Sequence, residues 1–182
     1  MAYAGENGVA AYGVIMYIDF IFLAAFIGYA MGTAPVISYH YGAQNHDELK
    51  SLLHKSLTIL LITSIGMFIF AELAARPLAM IFASYDPTLL DITVHGFHIY
   101  SISFLFVGFT IFGSSFFTAL NNGLVSAIIS FVRTLIFEVA AVLVLPALWG
   151  IDGIWWAVVI ARGLSIVVTF AFILTNRKKY QY

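Results

Sequence analysis

Long apolar stretches separated by short polar segments are the dominant pattern of this chain. Each stretch is long enough to supply the about 20 residues that a helix needs to cross the roughly 30 Å hydrocarbon core of a bilayer. The stretches cover residues 12–39, 52–75, 92–120, 124–148 and 154–175, and a polar tail, residues 176–182, follows the last of them. They predict a bundle of about five transmembrane helices.

The segments between the apolar stretches favour turns and helix starts. These polar or glycine-rich segments are residues 42–50, 84–88, 121–123 and 149–153. Within the second segment, Asp86 followed by Pro87 is typical of a helix cap and a first-turn proline. Connections this short predict that neighbouring helices run antiparallel.

Basic residues flank the predicted helices unevenly. Lys50 and Lys55 lie between the first two helices, and Arg177, Lys178 and Lys179 follow the last one. An odd number of helices brings both groups to the same side, whereas an even number separates them. Because basic residues are retained in the cytoplasm, we expect a multi-pass protein of the cell (inner, cytoplasmic) membrane, with its N-terminus outside and its C-terminus in the cytoplasm.

Composition excludes a water-soluble fold and narrows the chemistry. Hydrophobic residues make up 62% of the chain and charged residues 9%, against about 25% charged residues in ordinary globular domains. The chain has no cysteine, and the motifs of common hydrolases, ATPases and zinc proteases are absent. We therefore expect an all-α integral membrane protein that is not an enzyme, with no cofactor, no metal site and no nucleic-acid partner.

Ionisable residues deep in the predicted spans are the candidate functional groups, because a charge at the bilayer centre costs at least a few kcal/mol. They are Asp19, Arg133, Glu138 and Arg162. Glu138 and Arg162 each lie about 15 Å from the turn at 149–153, so we expect an intramembrane ion pair between them. That pair either hides two charges from lipid or makes Glu138 a cation or proton site gated by Arg162. Arg133 is close enough to its helix end to reach the headgroups.

The first predicted helix contains an acid, a stripe of small residues and a proline. Asp19 has no basic neighbour within this helix, so it either binds a proton or sodium ion, or it faces a water-filled cleft or a partner helix without a role in coupling. Ala24, Gly28 and Gly32 recur every four residues, which predicts close contact with another helix. Pro35 predicts a kink near the end of the helix.

Polar residues near the helix ends predict contacts at the membrane surface. Glu72 and Arg76 are four residues apart, which favours an ion pair on one helix face. His95 and His98 are only three apart and have no third ligand near them in the sequence, so hydrogen bonds at the interface are expected rather than a zinc site.

One segment carries a specific family resemblance. Residues 32–45, Gly-Thr-Ala-Pro-Val-Ile-Ser-Tyr-His-Tyr-Gly-Ala-Gln-Asn, closely resemble the loop after the second helix of the C-terminal lobe in the MATE (multidrug and toxic compound extrusion) family. Residues 114–120, Leu145-Pro146 and residues 150–155 are similar to the same lobe in the same order. The positions that carry the family motif are Ala34, Pro35, Ser38, Tyr39, Gly42, Ala43 and Arg133.

The resemblance implies a secondary active transporter of about twelve helices, whose two lobes rock around a central cleft. It implies a cation-coupled antiporter that exports drug-like or toxic organic compounds, mainly cations, and that takes up sodium ions or protons in exchange. Asp19 and Glu138 are then the candidate ion-coupling residues. Residues 1–182 match a partial C-terminal lobe that lacks its first helix, so we expect a fragment of the full transporter.

The expected partners are the lipid bilayer, a small organic substrate, and a missing N-terminal lobe or a partner chain. Two other functions remain open from the sequence. One is a lipid-linked oligosaccharide flippase of a related fold, which a cleft rich in lysine and arginine would favour. The other is a non-transporting helical membrane module that needs a partner chain.

Overall fold

The computed structural model describes residues 5–182, which form helices joined by short turns. The helices are α1 (Gly5–Gly42), α2 (His46–Ala83), α3 (Pro87–Ser101), α4 (Phe104–Ala119), α5 (Gly123–Phe131), a π-helix (Val132–Glu138), α6 (Val139–Trp149) and α7 (Ile151–Tyr180). By length and composition, four segments of this part of the chain can cross a membrane: α1, α2, residues 123–149 (α5, the π-helix and α6 together) and α7. The bent pair of α3 and α4 makes a fifth when it is counted as one span. The predicted all-α membrane architecture is confirmed.

The helices extend beyond the apolar stretches at several ends. α1 begins at Gly5, and α2 continues to Ala83, well past residue 75. α7 runs to Tyr180, so most of the predicted tail is helical. Hydropathy detects only the part of a helix that lies in hydrocarbon, whereas backbone hydrogen bonding continues into the polar interface. The basic residues of the tail also suit the negative end of the helix dipole.

Side-chain caps begin the helices after the short turns. The carboxylate of Asp86 accepts from the backbone amides of Thr88 at 2.8 Å and Leu89 at 3.2 Å, and Pro87 occupies the first turn, as predicted. Asn45 and Asn122 cap α2 and α5 in the same way. These caps satisfy amides that have no partner within the helix, and they keep the connections short enough for antiparallel neighbours.

The prediction of one continuous helix over residues 92–120 is wrong. α3 and α4 meet at a bend of 52° around Ile102 and Ser103. There the amide of Ser103 donates to the carbonyl of Tyr100, a tighter turn than that of an α-helix. The bend contains neither proline nor glycine, so the sequence offers no local signal for it.

Glycines determine where the helices approach most closely. A Cβ atom added to Gly108 would overlap the ring of Phe26, and one added to Gly153 would overlap the backbone carbonyl of Leu145. α1 therefore lies close against α4, and α6 close against the start of α7. Only glycine permits these approaches, because any larger residue would push two helices apart.

The predicted small-residue stripe of α1 does not make such a contact. Ala24, Gly28 and Gly32 are exposed, and a Cβ atom at either glycine would meet nothing within 4 Å. The buried face of α1 instead carries Ala11, Ile15, Ile18, Asp19, Phe22, Phe26, Ala30 and Ile37. The predicted contact is therefore wrong within residues 5–182. The spacing of the small residues showed that they share one helix face, but it did not show whether that face points toward another helix of the bundle. α1 also continues as a helix through Pro35.

Both basic groups lie at one end of the bundle, which we call the basic end. The ring centroids of Tyr41, at the end of α1, and Tyr180, at the end of α7, are 5.7 Å apart. The turn from α1 to α2 and the final turn of α7 are therefore neighbours. The prediction that Lys50 and Lys55 share a side with Arg177–Lys179 is confirmed.

Histidine–carboxylate contacts join helices at the opposite end. His95 lies 2.9 Å from Asp152, and His98 lies 2.7 Å from Glu72. The expected interfacial hydrogen bonds of both histidines are confirmed. The expected Glu72–Arg76 pair is wrong, because Glu72 is held by His98 and by the hydroxyl of Ser101 on α3.

We expect Gly153→Ala to destabilise the protein by about 1–3 kcal/mol, because the new methyl group meets a backbone carbonyl that cannot rotate away. Gly28→Ala is the matched control, since its methyl group points into open space. The control should be neutral or stabilise by up to about 1 kcal/mol. Thermal unfolding in detergent, followed by loss of the monodisperse elution peak, measures both variants. Equal melting temperatures would contradict the close approach of α6 and α7.

Candidate functional site

A partly open cleft of about 480 Å³ runs along the bundle, lined by α1, α3, α4, the π-helix and α7. All four ionisable residues predicted deep in the spans line this cleft: Asp19, Arg133, Glu138 and Arg162. They come from three separate elements of the chain. The sequence therefore identified the charged residues of the site, although it did not show that they share one cavity.

Asp19 and Arg162 form a two-pronged ion pair between α1 and α7. The guanidinium Nη1 donates to Oδ1 at 3.1 Å, and Nη2 donates to Oδ2 at 2.9 Å. The aspartate side chain is 8% exposed and that of the arginine 13%. Parallel bonds of this kind are among the stronger polar contacts in proteins. Both charges are thereby compensated away from water.

The predicted ion pair between Glu138 and Arg162 is wrong. Depth along the hairpin of the last two spans suggested it, and Glu138 does line the same cleft. However, Asp19 lies on the buried face of α1, beside Ile15, Ile18 and Phe22. Asp19 therefore faces the bundle interior, where its carboxylate binds the guanidinium of Arg162. The depths of Glu138 and Arg162 on their own helices do not show which side chain of α1 reaches the guanidinium.

Arg162 also binds the bend between α3 and α4. Its Nη1 donates to the Ser103 hydroxyl at 2.9 Å, and its Nη2 donates to the Tyr100 hydroxyl at 3.0 Å. The guanidinium carbon also lies 5.2 Å from the centre of the Tyr100 ring. Neither partner was predicted from the sequence. A usable signal was present, because Tyr100, Ser101 and Ser103 form a short polar run just before the apolar stretch that begins at Phe104.

The π-helix places two charged side chains on the cleft. Arg133 and Glu138 lie five residues apart, and both line the cleft together with Thr134. In a regular α-helix, residues five apart are about 140° apart around the axis. The i→i+5 hydrogen bonding of a π-helix brings them close to one face. Such turns are common at functional sites.

Neither Arg133 nor Glu138 is in an ion pair with any residue of the range 5–182. Both side chains are half-buried. Arg133 lies in the lining of the cleft, which differs from the expectation that it reaches the membrane surface. The cleft thus contains one compensated pair and two charges without an ionic partner among the described residues.

Hydroxyl groups form the wall of the cleft between α4 and α5. The Ser114 hydroxyl lies 2.9 Å from those of Ser126 and Ser130, and Thr118 donates to Ser126 at 2.8 Å. Ser114 and Thr118 also line the cleft. This network satisfies its own hydrogen-bonding groups and fixes the start of α5 against α4.

Most of the motif residues lie in and just after the last turns of α1, away from the cleft. The Ser38 hydroxyl donates to the carbonyl of Ala119 at 3.0 Å, which joins α1 to the end of α4. The amide of Ala43 donates to the carbonyl of Tyr39 at 2.9 Å and closes the helix. Of the motif positions, only Arg133 lines the cleft. Ser38 and Ala43 therefore take part in helix packing and helix termination.

No cluster of three or more histidine, aspartate or glutamate side chains that could hold a metal ion occurs in residues 5–182. The chemistry of the cleft rests on its two acids, its two arginines and its hydroxyl groups.

The family comparison identifies what kind of protein carries this cleft. The family model MatE matches residues 1–144, most of the chain. The chain belongs to the MatE family. Members of this family are transporters rather than enzymes. The chain is accordingly a multi-pass membrane protein with a MATE-type fold.

Solved transporters have the same fold. The chain is similar to a multidrug resistance MATE family transporter of the MOP superfamily in an outward-facing conformation, with a TM-score of 0.91, 21% identity, and coverage of 98% of this chain and 40% of that one. The Vibrio cholerae transporter VcmN, in its bent form, gives a TM-score of 0.86 at 22% identity, covering 97% of this chain and 40% of that one.

A Pyrococcus furiosus transporter of the MOP superfamily is similar to the same degree, with a TM-score of 0.91 at 21% identity, covering 99% of this chain and 41% of that one. The reversed polarity of its binding pocket is described as suggesting a different function. No curated protein matches the chain. At these identities the likeness shows the fold, and the chain spans about 40% of the length of these transporters.

Breaking the Asp19–Arg162 pair should be costly, whereas removing both charges should not. We expect Asp19→Asn to lower the free energy of unfolding by about 3 kcal/mol or more, because it leaves the guanidinium buried without its counter-charge. The double variant Asp19→Leu with Arg162→Met should recover most of that loss. Unfolding in detergent measures both.

Glu138→Gln is the control for this double-mutant comparison. It also removes one acid from the cleft, but Glu138 has no ion pair within the described range, so a change below about 1 kcal/mol is expected. If the double variant were as unstable as Asp19→Asn alone, the ion pair would not be the interaction that Asp19 supplies.

Proposed function

We propose that this chain is part of a secondary active MATE-type antiporter, which exports drug-like or toxic organic compounds in exchange for sodium ions or protons. The observation that supports this proposal most directly is the cleft, which four charged side chains line within the membrane-spanning region. The chain also belongs to a family of transporters. Because the chain spans about 40% of similar transporters, a second lobe or a partner chain supplies the rest of the pathway.

Glu138 is the better candidate for ion coupling. Both oxygens of Asp19 are engaged by Arg162, so a proton or sodium ion could bind there only after the ion pair opened. Glu138 lines the cleft and has no ion pair within the described residues. Its carboxylate is free to bind the coupling cation and to release it when the cleft changes access. Asp19 then acts as a positioning residue for Arg162.

A small organic cation suits the remainder of the cleft. Tyr12 and Phe20 of α1 contribute aromatic rings to the lining, and Met16 adds a flexible apolar side chain. Aromatic faces attract cations when water is excluded, and Glu138 supplies the counter-charge. Competition between the coupling ion and the cationic substrate for this carboxylate would make the exchange obligatory.

A lipid-linked oligosaccharide flippase is less well supported. Its phosphate-bearing cargo would need several free basic groups in the cleft. Arg162 is neutralised by Asp19, which leaves Arg133 as the basic residue without an ion pair among those described. A non-transporting module does not account for the charged cleft.

We expect Glu138→Gln, in an otherwise complete transporter, to abolish the dependence of efflux on the sodium or proton gradient, because the amide cannot carry the exchanged charge. Efflux of a fluorescent organic cation from proteoliposomes with imposed gradients measures this. Glu48→Gln is the matched control, since Glu48 is exposed in the first turn of α2 and does not line the cleft. It should leave efflux unchanged.

The Asp19→Asn variant distinguishes the role of Asp19 from that of Glu138. We expect it to reduce the amount of folded protein while the molecules that do fold retain their ion dependence. Loss of gradient dependence in folded Asp19→Asn, together with normal coupling in Glu138→Gln, would reverse the assignment.

A further inference from the structure

A second cavity, which we call the basic groove, lies between α2 and α7 near the basic end. It has a volume of about 250 Å³. Leu53 and Leu57 of α2 form one wall, and Phe170 and Leu174 of α7 form the other. α2 contributes no residue to the cleft described above, and no residue lines both cavities, so the groove is separate from that cleft.

Basic side chains stand at the mouth of this groove. Lys50 and His54 lie four residues apart on α2, and Arg177 lies on α7. Residues four apart on a helix share one face, so both α2 groups border the groove. All three are exposed, and none of them forms an ion pair within residues 5–182. The nearby acids Asp47 and Glu48 do not line the groove.

The two walls are matched in depth. On α2, Leu53 and Leu57 follow Lys50 by three and seven residues, and on α7, Leu174 and Phe170 precede Arg177 by three and seven residues. α2 begins at the basic end and α7 ends there, so both apolar walls extend about 10 Å into the bundle from a basic residue. A ligand that fits this arrangement has an anionic head and a hydrocarbon chain.

Tyr182 also lines the groove. Tyr182 is 4% exposed, and its hydroxyl donates to the carbonyl of Ile173 at 2.8 Å. Its ring packs on Phe116 with the centroids 5.0 Å apart. Burial, followed by the neighbouring Tyr180, raises the pKa of Tyr182 above its ordinary value. A tyrosine hydroxyl is neutral at physiological pH even without this shift, so the phenol adds no negative charge near the basic residues.

We propose that the basic groove binds an anionic phospholipid, with its phosphate between Lys50 and Arg177 and one acyl chain against the two apolar walls. Basic pockets between membrane helices recognise anionic headgroups in this way. A free phosphate ion would leave the apolar walls without a partner, and a zwitterionic lipid would bring a positive choline or amine toward two cations. The proposal does not depend on the transport function.

Native mass spectrometry of the full chain in detergent, with phosphatidylglycerol or phosphatidylcholine added, tests the proposal. We expect the chain to retain phosphatidylglycerol in preference to phosphatidylcholine. Lys50→Gln with Arg177→Gln should weaken phosphatidylglycerol binding by roughly tenfold or more, given the attraction of two charges to an anionic lipid. Lys55→Gln with Lys178→Gln removes the same charge from exposed positions outside the groove and should leave binding unchanged.

A third variant tests the acyl chain without changing any charge. Leu174 is 68% exposed, so Leu174→Trp should fold normally while its ring fills the groove and weakens lipid binding. Elution volume and helix content by circular dichroism verify that the variant is folded. If the double charge variant does not fold, Leu174→Trp still tests whether lipid binds in the groove.

Three outcomes would overturn the proposal. Equal retention of the two lipids would show that charge is not recognised. Equal loss in both pairs of charge variants would indicate a diffuse attraction to the whole basic end. Displacement of the lipid by millimolar inorganic phosphate, with normal binding in Leu174→Trp, would indicate a phosphate site instead of a lipid site.

Discussion

Arg162 carries a charge about 16 Å along α7 from its first residue, where the surrounding bilayer offers no counter-ion. The guanidinium is always protonated in proteins, so the fold must supply its partner. Asp19 provides the opposite charge, and Tyr100 and Ser103 each accept one further hydrogen bond. One side chain therefore holds α1, α7 and the bend between α3 and α4 in a single arrangement.

That arrangement divides the charges of the cleft into two kinds. The Asp19–Arg162 pair is internally compensated and fixes the walls. Arg133 and Glu138, displayed by the π-helix, have no ionic partner within the described chain and face the same space. The family fold and this division of charge are consistent with each other.

Physical reasons explain what the sequence could and could not predict. Span number, antiparallel order and the position of the basic residues follow from hydropathy and charge, which act on each segment separately. The charged cleft residues were found for the same reason, since a buried charge is conspicuous in any apolar stretch. The partner of Arg162, the direction of the Ala24–Gly32 face and the bend at Ser103 depend on packing between distant segments. The contacts of Glu72 with His98 and Ser101 across two helices were missed for the same reason.

The π-helix also affects how this span tolerates changes in length. A widened turn accommodates one extra residue within a helix. The helical segments on either side therefore keep the same faces toward the rest of the bundle. α6 can therefore keep Leu145 against Gly153 while the preceding turn presents Arg133 and Glu138. Deleting one residue from Val132–Glu138 would restore an ordinary helical turn and rotate the two charges apart, with little change at Leu145.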